Sequence, residues 1–223
     1  MMMGSASDRT LKIRAPDWVG RVFLGHLDLA TCLTLAGVTL SLLAVVFSAR
    51  GYLATGVICF MYAGLCDLFD GFVARRSDRT TEQAAFGLQI DSIADMAAFG
   101  VAPALIALNL GLASPFEVAA LIFYVCCAAM RLAFFNVHGT EAQGTRRFYT
   151  GVPVTYSALI FPVLLLFATA ANESPVLWLI HGYFWVLGAL FILRIPIPKP
   201  GGIFYLVFPL VAVLLTIAWG FRL

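Results

Sequence analysis

The 223 residues of this chain are 61% hydrophobic and only 12% charged, with a mean hydropathy of +0.94. A soluble domain is roughly half apolar and about a quarter charged, so this composition points instead to an integral membrane protein. The net charge of +2 is too small to argue for a nucleic-acid partner. Five cysteines (Cys32, Cys59, Cys66, Cys126 and Cys127) lie in apolar runs without metal-ligand spacing and read as packing residues.

At about 20 apolar residues per span, the chain has room for six to eight helices and no separate soluble domain. The N-terminus does not read as a cleavable signal. Asp8, Arg9, Lys12 and Arg14 lead into "APDWVGRVFLGHLDLA", which mixes Trp18, Val19, Phe23 and Leu24 with Asp17, Arg21 and His26. Residues 1–27 are therefore expected to form an amphipathic juxtamembrane helix in the membrane interface, with an irregular lead into the first span as the alternative. Residues 28–223 form the transmembrane domain. Seven apolar segments follow, at 28–48, 51–75, 84–110, 115–136, 152–171, 175–193 and 203–220, separated by the turn-rich "SARG", "ASP", "ANESP" and "IPIPKPGG". The fold class expected is all-α, a polytopic transmembrane helix bundle.

With the N-terminus in the cytoplasm, the ends of the second, fourth and sixth spans are cytoplasmic too. Twelve of the fourteen Lys and Arg residues then lie inside, leaving only Arg50 and Arg222 outside. The positive-inside rule favours this orientation. It places the stretch "CDLFDGFVARRSDRTTEQAAFGLQIDSIAD", which carries four aspartates, at the cytoplasmic side of the cell membrane.

Carboxylates near membrane depth face a cavity, a partner or an ion. Asp67 and Asp70 are three residues apart and Asp91 and Asp95 four apart, so each pair occupies one helical face. Two helices joined by a short polar loop thus turn two carboxylates each toward a common space. Like charges repel unless a cation sits between them, and an oxygen-only donor set without His or Cys suits Mg²⁺, Mn²⁺ or Ca²⁺. Gly71, Ala74 and Gly87 clear the backbone beside these acids, and Arg75 offers a planar fork suited to phosphate oxygens. Together they describe a pyrophosphate site; the plainer alternative is helix-packing glycines beside a salt-bridged arginine.

The run "DLFDGFVARR…FGLQIDSIAD" resembles the signature of the CDP-alcohol phosphotransferases, D-x-x-D-G-x-x-A-R…G-x-x-x-D-x-x-x-D. Asp67, Asp70, Gly71, Ala74, Arg75, Gly87, Asp91 and Asp95 each match a signature position. Eleven residues separate Arg75 from Gly87 where the common spacing is eight, and the extra three lengthen the charged loop. The resemblance implies that Asp67, Asp70 and Asp91 hold metal, with Asp95 as the base that activates the alcohol and as a ligand to a second ion. It also implies that Gly71, Ala74, Arg75 and Gly87, with Asp67, bind the CDP group. The resemblance implies CDP-diacylglycerol as a substrate and a homodimer, and because that substrate carries two acyl chains the site is expected to open to the cytoplasm and sideways to membrane lipids.

"IDSIADMAAFGVAPALI", "AMRLAFFNV" and "FYTGVPVTYSALIFP" are similar to the phosphatidylserine synthase branch of that family, which implies L-serine as the acceptor. Arg131 and Asn136, at the end of the fourth span, are candidates for acceptor contact. Arg131 serves the lipid phosphate equally well, and Asn136 a helix-end cap. Arg146 and Arg147 read either as phosphate or anionic-lipid contacts or as solvated positive-inside charges. Acceptors such as glycerol 3-phosphate or an inositol phosphate remain open alternatives. A membrane prenyltransferase lacks D-G-x-x-A-R, and a cation transporter is expected to show mid-membrane acids and duplicated halves. His26, His138 and His181 stand apart as interface or packing residues.

Overall fold

The computed structural model describes residues 25–139, 141–143, 146–170, 175–198 and 204–222. The amphipathic helix expected over 1–27 therefore lies, except for its last three residues, outside the described residues.

Helix α1 (Leu29–Ala49) starts at Asp28, whose Oδ1 accepts the Thr31 N–H at 2.8 Å and satisfies a first-turn donor. Its buried residues are small or polar: Ala30, Thr31, Thr34, Gly37, Ser41, Ala44 and Ser48. They recur every three to four positions and so form one stripe, while Leu35, Leu42 and Leu43 point outward. This pattern suits lipid, where large apolar side chains are content outside and small residues let helix backbones approach. A turn at Gly51, with φ of 83°, reverses the chain into α2 (Leu53–Ala74). The two helices pack so closely that a Cβ on Gly56 would stand 2.8 Å from the Ala44 carbonyl oxygen.

Helix α3 (Thr81–Asp95) opens on a capping box formed by Thr80 and Gln83. It runs through a π-helical turn (Met96–Val101) into α4 (Ala102–Asn109). The widened turn has an identifiable partner set. Pro103 lacks the N–H that an α-helix would give to the Phe99 carbonyl. Tyr124 Oη donates to that carbonyl at 2.6 Å and Ser157 Oγ at 3.5 Å. Tyr124 belongs to α5 (Pro115–His138), which begins with a second capping box (Ser114 and Glu117) and ends at Gly139 with φ of 64°. A 3₁₀ turn (Val154–Tyr156) leads into α6 (Ser157–Ala170), followed by α7 (Pro175–Ile192) and α8 (Phe204–Gly220).

Among the described residues four helices are long and apolar enough to cross a membrane: Leu29–Ala49, Leu53–Ala74, Thr81–Asn109 and Pro115–His138. Three shorter apolar helices, Val154–Thr169, Trp178–Ile192 and Tyr205–Gly220, complete the seven expected segments. The interior is aromatic, with the Phe60 ring 6.1 Å from Phe99 and 6.0 Å from Phe161. Outward-facing Phe167, Trp178 and Leu206 are 68–72% exposed, which makes the exterior as apolar as the core. The bundle is that of an integral membrane protein.

One element has no counterpart in the sequence reading. Short strands β1 (Glu141–Gln143), β2 (Arg146–Thr150) and β3 (Pro196–Pro198) form an antiparallel sheet in the order β1-β2-β3. The two prolines are tolerated because β3 is an edge strand. Gly151, at φ of 81°, follows β2 and donates its N–H to the Ile195 carbonyl at 2.9 Å. The sheet thereby ties the connection after α5 to the connection before α8.

Candidate active site

The last turns of α2 carry Asp67 and Asp70, and the last turns of α3 carry Asp91 and Asp95. Because α2 and α3 run in opposite directions through a short loop, the two acidic faces meet. One oxygen each from Asp67, Asp70 and Asp91 lies within 4.8 Å of the other two. Asp95 completes the group by hydrogen-bonding reach to the Asp67 side chain. All four line a cavity that also reaches Phe99 at the π turn. Three carboxylates converging with no cation hydrogen-bonded to them among the described residues are the donor set that a hard divalent ion requires. On this geometry the residues present fit such an ion.

Helix α1 enters the site as well. Thr34 Oγ1 lies 2.5 Å from Asp70 Oδ2 and 3.0 Å from the Ala30 carbonyl oxygen, and Asp70 is only 4% exposed. The hydroxyl holds one oxygen of a carboxyl that lines the cavity.

Both signature glycines have an arginine over them. A Cβ on Gly71 would stand 3.3 Å from Arg75 Nη1, and one on Gly87 only 2.8 Å from Arg79 Nη1. Arg75, just past Ala74 at the end of α2, donates to the Tyr205 hydroxyl on α8, with its guanidinium carbon 5.7 Å from that ring's centre. Arg79 pairs with Asp28. The plainer sequence alternative, a salt-bridged Arg75 beside packing glycines, is thus replaced by an arginine held on a tyrosine.

Ser92, next to Asp91, donates to Asn136 Oδ1 at 2.8 Å, which brings Asn136 against α3. The capping alternative for Asn136 does not hold, since Gly139 caps α5. Arg131 is buried on α5 with its guanidinium carbon 5.3 Å from the Phe135 ring centre. Arg146 and Arg147 lie on β2, and their side chains fall outside the described residues. The histidines behave as packing groups: His181 accepts from Trp185 Nε1 at 3.0 Å, and His138 stacks on Phe134.

Thr34, Arg79, Ser92 and Tyr205 were missed in the sequence. Thr34 had a readable trace, since it falls in the stripe of small and polar residues along α1. Tyr205 and Arg79 had none, because their contacts span 130 and 51 residues.

Two transmembrane helices that join their acidic faces beside glycines and arginines define a membrane-embedded phosphotransferase class. A family model described as CDP-alcohol phosphatidyltransferase matches residues 27–194, three quarters of the chain, and the chain belongs to that family. A CDP-diacylglycerol–serine O-phosphatidyltransferase of Mycobacterium tuberculosis is 30% identical over 178 residues, 76% of this chain and 60% of that protein. One of Saccharomyces cerevisiae is 41% identical over 107 residues, 48% of this chain and 37% of that protein. An archaetidylserine synthase of Methanothermobacter thermautotrophicus is 32% identical over 120 residues, covering 52% and 48%. These matches span less than two thirds of the length of each of these relatives.

Proposed function

We propose that this protein transfers the phosphatidyl group of CDP-diacylglycerol to the hydroxyl of L-serine, giving phosphatidylserine and CMP, in a reaction that depends on a divalent cation. The observation that carries this reading is the convergence of Asp67, Asp70 and Asp91 with Asp95 beside them. Asp67, Asp70 and Asp91 would hold Mg²⁺ or Mn²⁺, with Ca²⁺ also compatible, and Asp95 would reach a second ion. A bound ion there supplies neutralisation of the diphosphate and of the departing CMP.

The remaining chemistry belongs to the protein's own residues. Gly71, Ala74 and Gly87 leave the backbone open to the CDP group, and Arg75 presents N–H donors to its phosphate oxygens. Asp95 takes the proton of the acceptor hydroxyl as the new oxygen–phosphorus bond forms at the lipid-side phosphorus. The bond from that phosphorus to the CMP oxygen breaks, and CMP leaves with its electron pair. Serine as acceptor is supported by the activity for which the relatives are named and by the Ser92–Asn136 pair beside Asp91, which offers polar groups to a small zwitterion. Arg131, Arg146 and Arg147 are the candidate cations for an acceptor carboxylate or lipid phosphate. The site faces the cytoplasm of the cell membrane in this reading, residues 1–27 lie along the interface, and the protein is a homodimer.

The purified protein is offered CDP-diacylglycerol with L-serine, glycerol 3-phosphate or an inositol phosphate in separate reactions. CMP release with serine is expected; turnover only with a phosphorylated polyol would replace the acceptor. Asp95→Asn is expected to abolish transfer while CDP-lipid binding stays largely intact, and normal turnover by that variant would remove Asp95 as the base.

A further inference from the structure

Arg79 belongs to no signature position. It lies on the charged loop that is three residues longer than the common spacing, yet it does not project into solvent: its side chain is only 13% exposed. The loop folds it back over Gly87, with Nη1 2.8 Å from the position of a Cβ there. Nη2 is 2.8 Å from both Oδ1 and Oδ2 of Asp28. Asp28 is itself fixed, because the preceding His26 packs edge-on against Phe86 with ring centres 5.7 Å apart, and Thr31 donates to its carboxylate. Arg79 also stands within electrostatic reach of Asp70 and Asp91.

A structural ion pair accounts for Nη2 alone. It leaves Nε buried without a hydrogen-bond partner, and it leaves unexplained why the head lies over a glycine of the nucleotide motif. A buried guanidinium edge with an unspent N–H suits an anionic oxygen acceptor; the fork matches carboxylate and phosphate alike, and its place over a glycine of the nucleotide motif favours phosphate. Gly71 already has Arg75 in the corresponding position. We propose that Arg79 is a second phosphate-binding cation of this site, contacting the diphosphate of the cytidine nucleotide at Gly87 as Arg75 does at Gly71, with Asp28 as the anchor that holds it there. This inference rests on the nucleotide reading above.

The test uses the full chain in detergent with Mn²⁺ present, and CDP as the probe. Calorimetric titration gives affinity, and thermal unfolding with and without CDP reports the fold. For Arg79→Gln, CDP affinity is expected to fall about tenfold or more, as for loss of a charged hydrogen bond. The melting temperature without CDP should fall by no more than the loss of the Asp28 ion pair accounts for, as in Asp28→Asn. Arg79→Lys, which keeps the charge and loses the fork, should fall between the two. If wild type binds CDP and Arg75→Gln weakens it while Arg79→Gln stays within about twofold of wild type, the inference fails and the nucleotide reading stands. Equal losses in Arg79→Gln and Arg79→Lys, accompanied by a larger fall in melting temperature without CDP, reduce Arg79 to a structural partner of Asp28 and also overturn it. If wild type does not bind CDP, the nucleotide reading fails and takes this inference with it.

Discussion

Asp28 performs two tasks at once, capping α1 and holding Arg79. Burial pushes its carboxyl upward, but the Thr31 N–H and hydroxyl together with Arg79 outweigh that and hold it below the ordinary carboxylate range. A depressed native value means that the fold favours the ionised form. The stabilisation is therefore fully present above the unfolded value of about 3.9 and is lost as pH falls through the lower native value. The difference in melting temperature between wild type and Asp28→Asn should be constant near neutral pH and shrink below about pH 4. A difference that grew on acidification would contradict this assignment. At this scale the sequence was legible where chemistry dictates residue type at helical spacing, as for Asp67 and Asp70 or Asp91 and Asp95. Thr34 was not, because it meets Asp70 across 36 residues of chain, and a threonine in an apolar helix bears no mark of its target.

Among the elements, the π turn after Asp95 is the most demanding. Its Phe99 carbonyl depends on donors from other helices because Pro103 supplies none. Tyr124→Phe removes the closer donor from a fully buried site, and the expected loss is about 1–3 kcal/mol of stability, read from thermal or denaturant unfolding. Adding Pro103→Ala should recover part of it by returning a backbone N–H to the same helix. A neutral Tyr124→Phe would show that Ser157 or the helix alone suffices. The helices themselves were legible to within a few residues from hydropathy and turn chemistry. The π turn was not, since Pro103 signals a missing bond but not which helix replaces it. The sheet was hidden for another reason: β2 pairs with a strand some fifty residues later, and "IPIP" reads locally as a proline-rich connection.

The whole molecule turns small residues inward along α1 and large apolar ones outward, which legible composition and span length had already implied. Cysteine labelling reads its orientation. In a cysteine-free background, Arg50→Cys is expected to react with an impermeant maleimide added to intact cells, and Ser77→Cys only after the membrane is opened. The reverse pattern would place the aspartates on the other side. Chelation of divalent ions should abolish CMP release, with activity returning on addition of Mg²⁺ or Mn²⁺; undiminished turnover in chelator would refute the ion's role at Asp67, Asp70 and Asp91.

The pairing of β2 with β3 makes the limit of the family match and the mechanical boundary different. The match to the family model ends at residue 194, but the strand that completes the sheet begins at Pro196 and the tyrosine that steadies Arg75 stands at position 205. A fragment trimmed to residues 27–194 would leave β2 with a bare margin and Arg75 without its tether. The final helix is thus a brace for the reaction centre, and anyone shortening this chain should keep it.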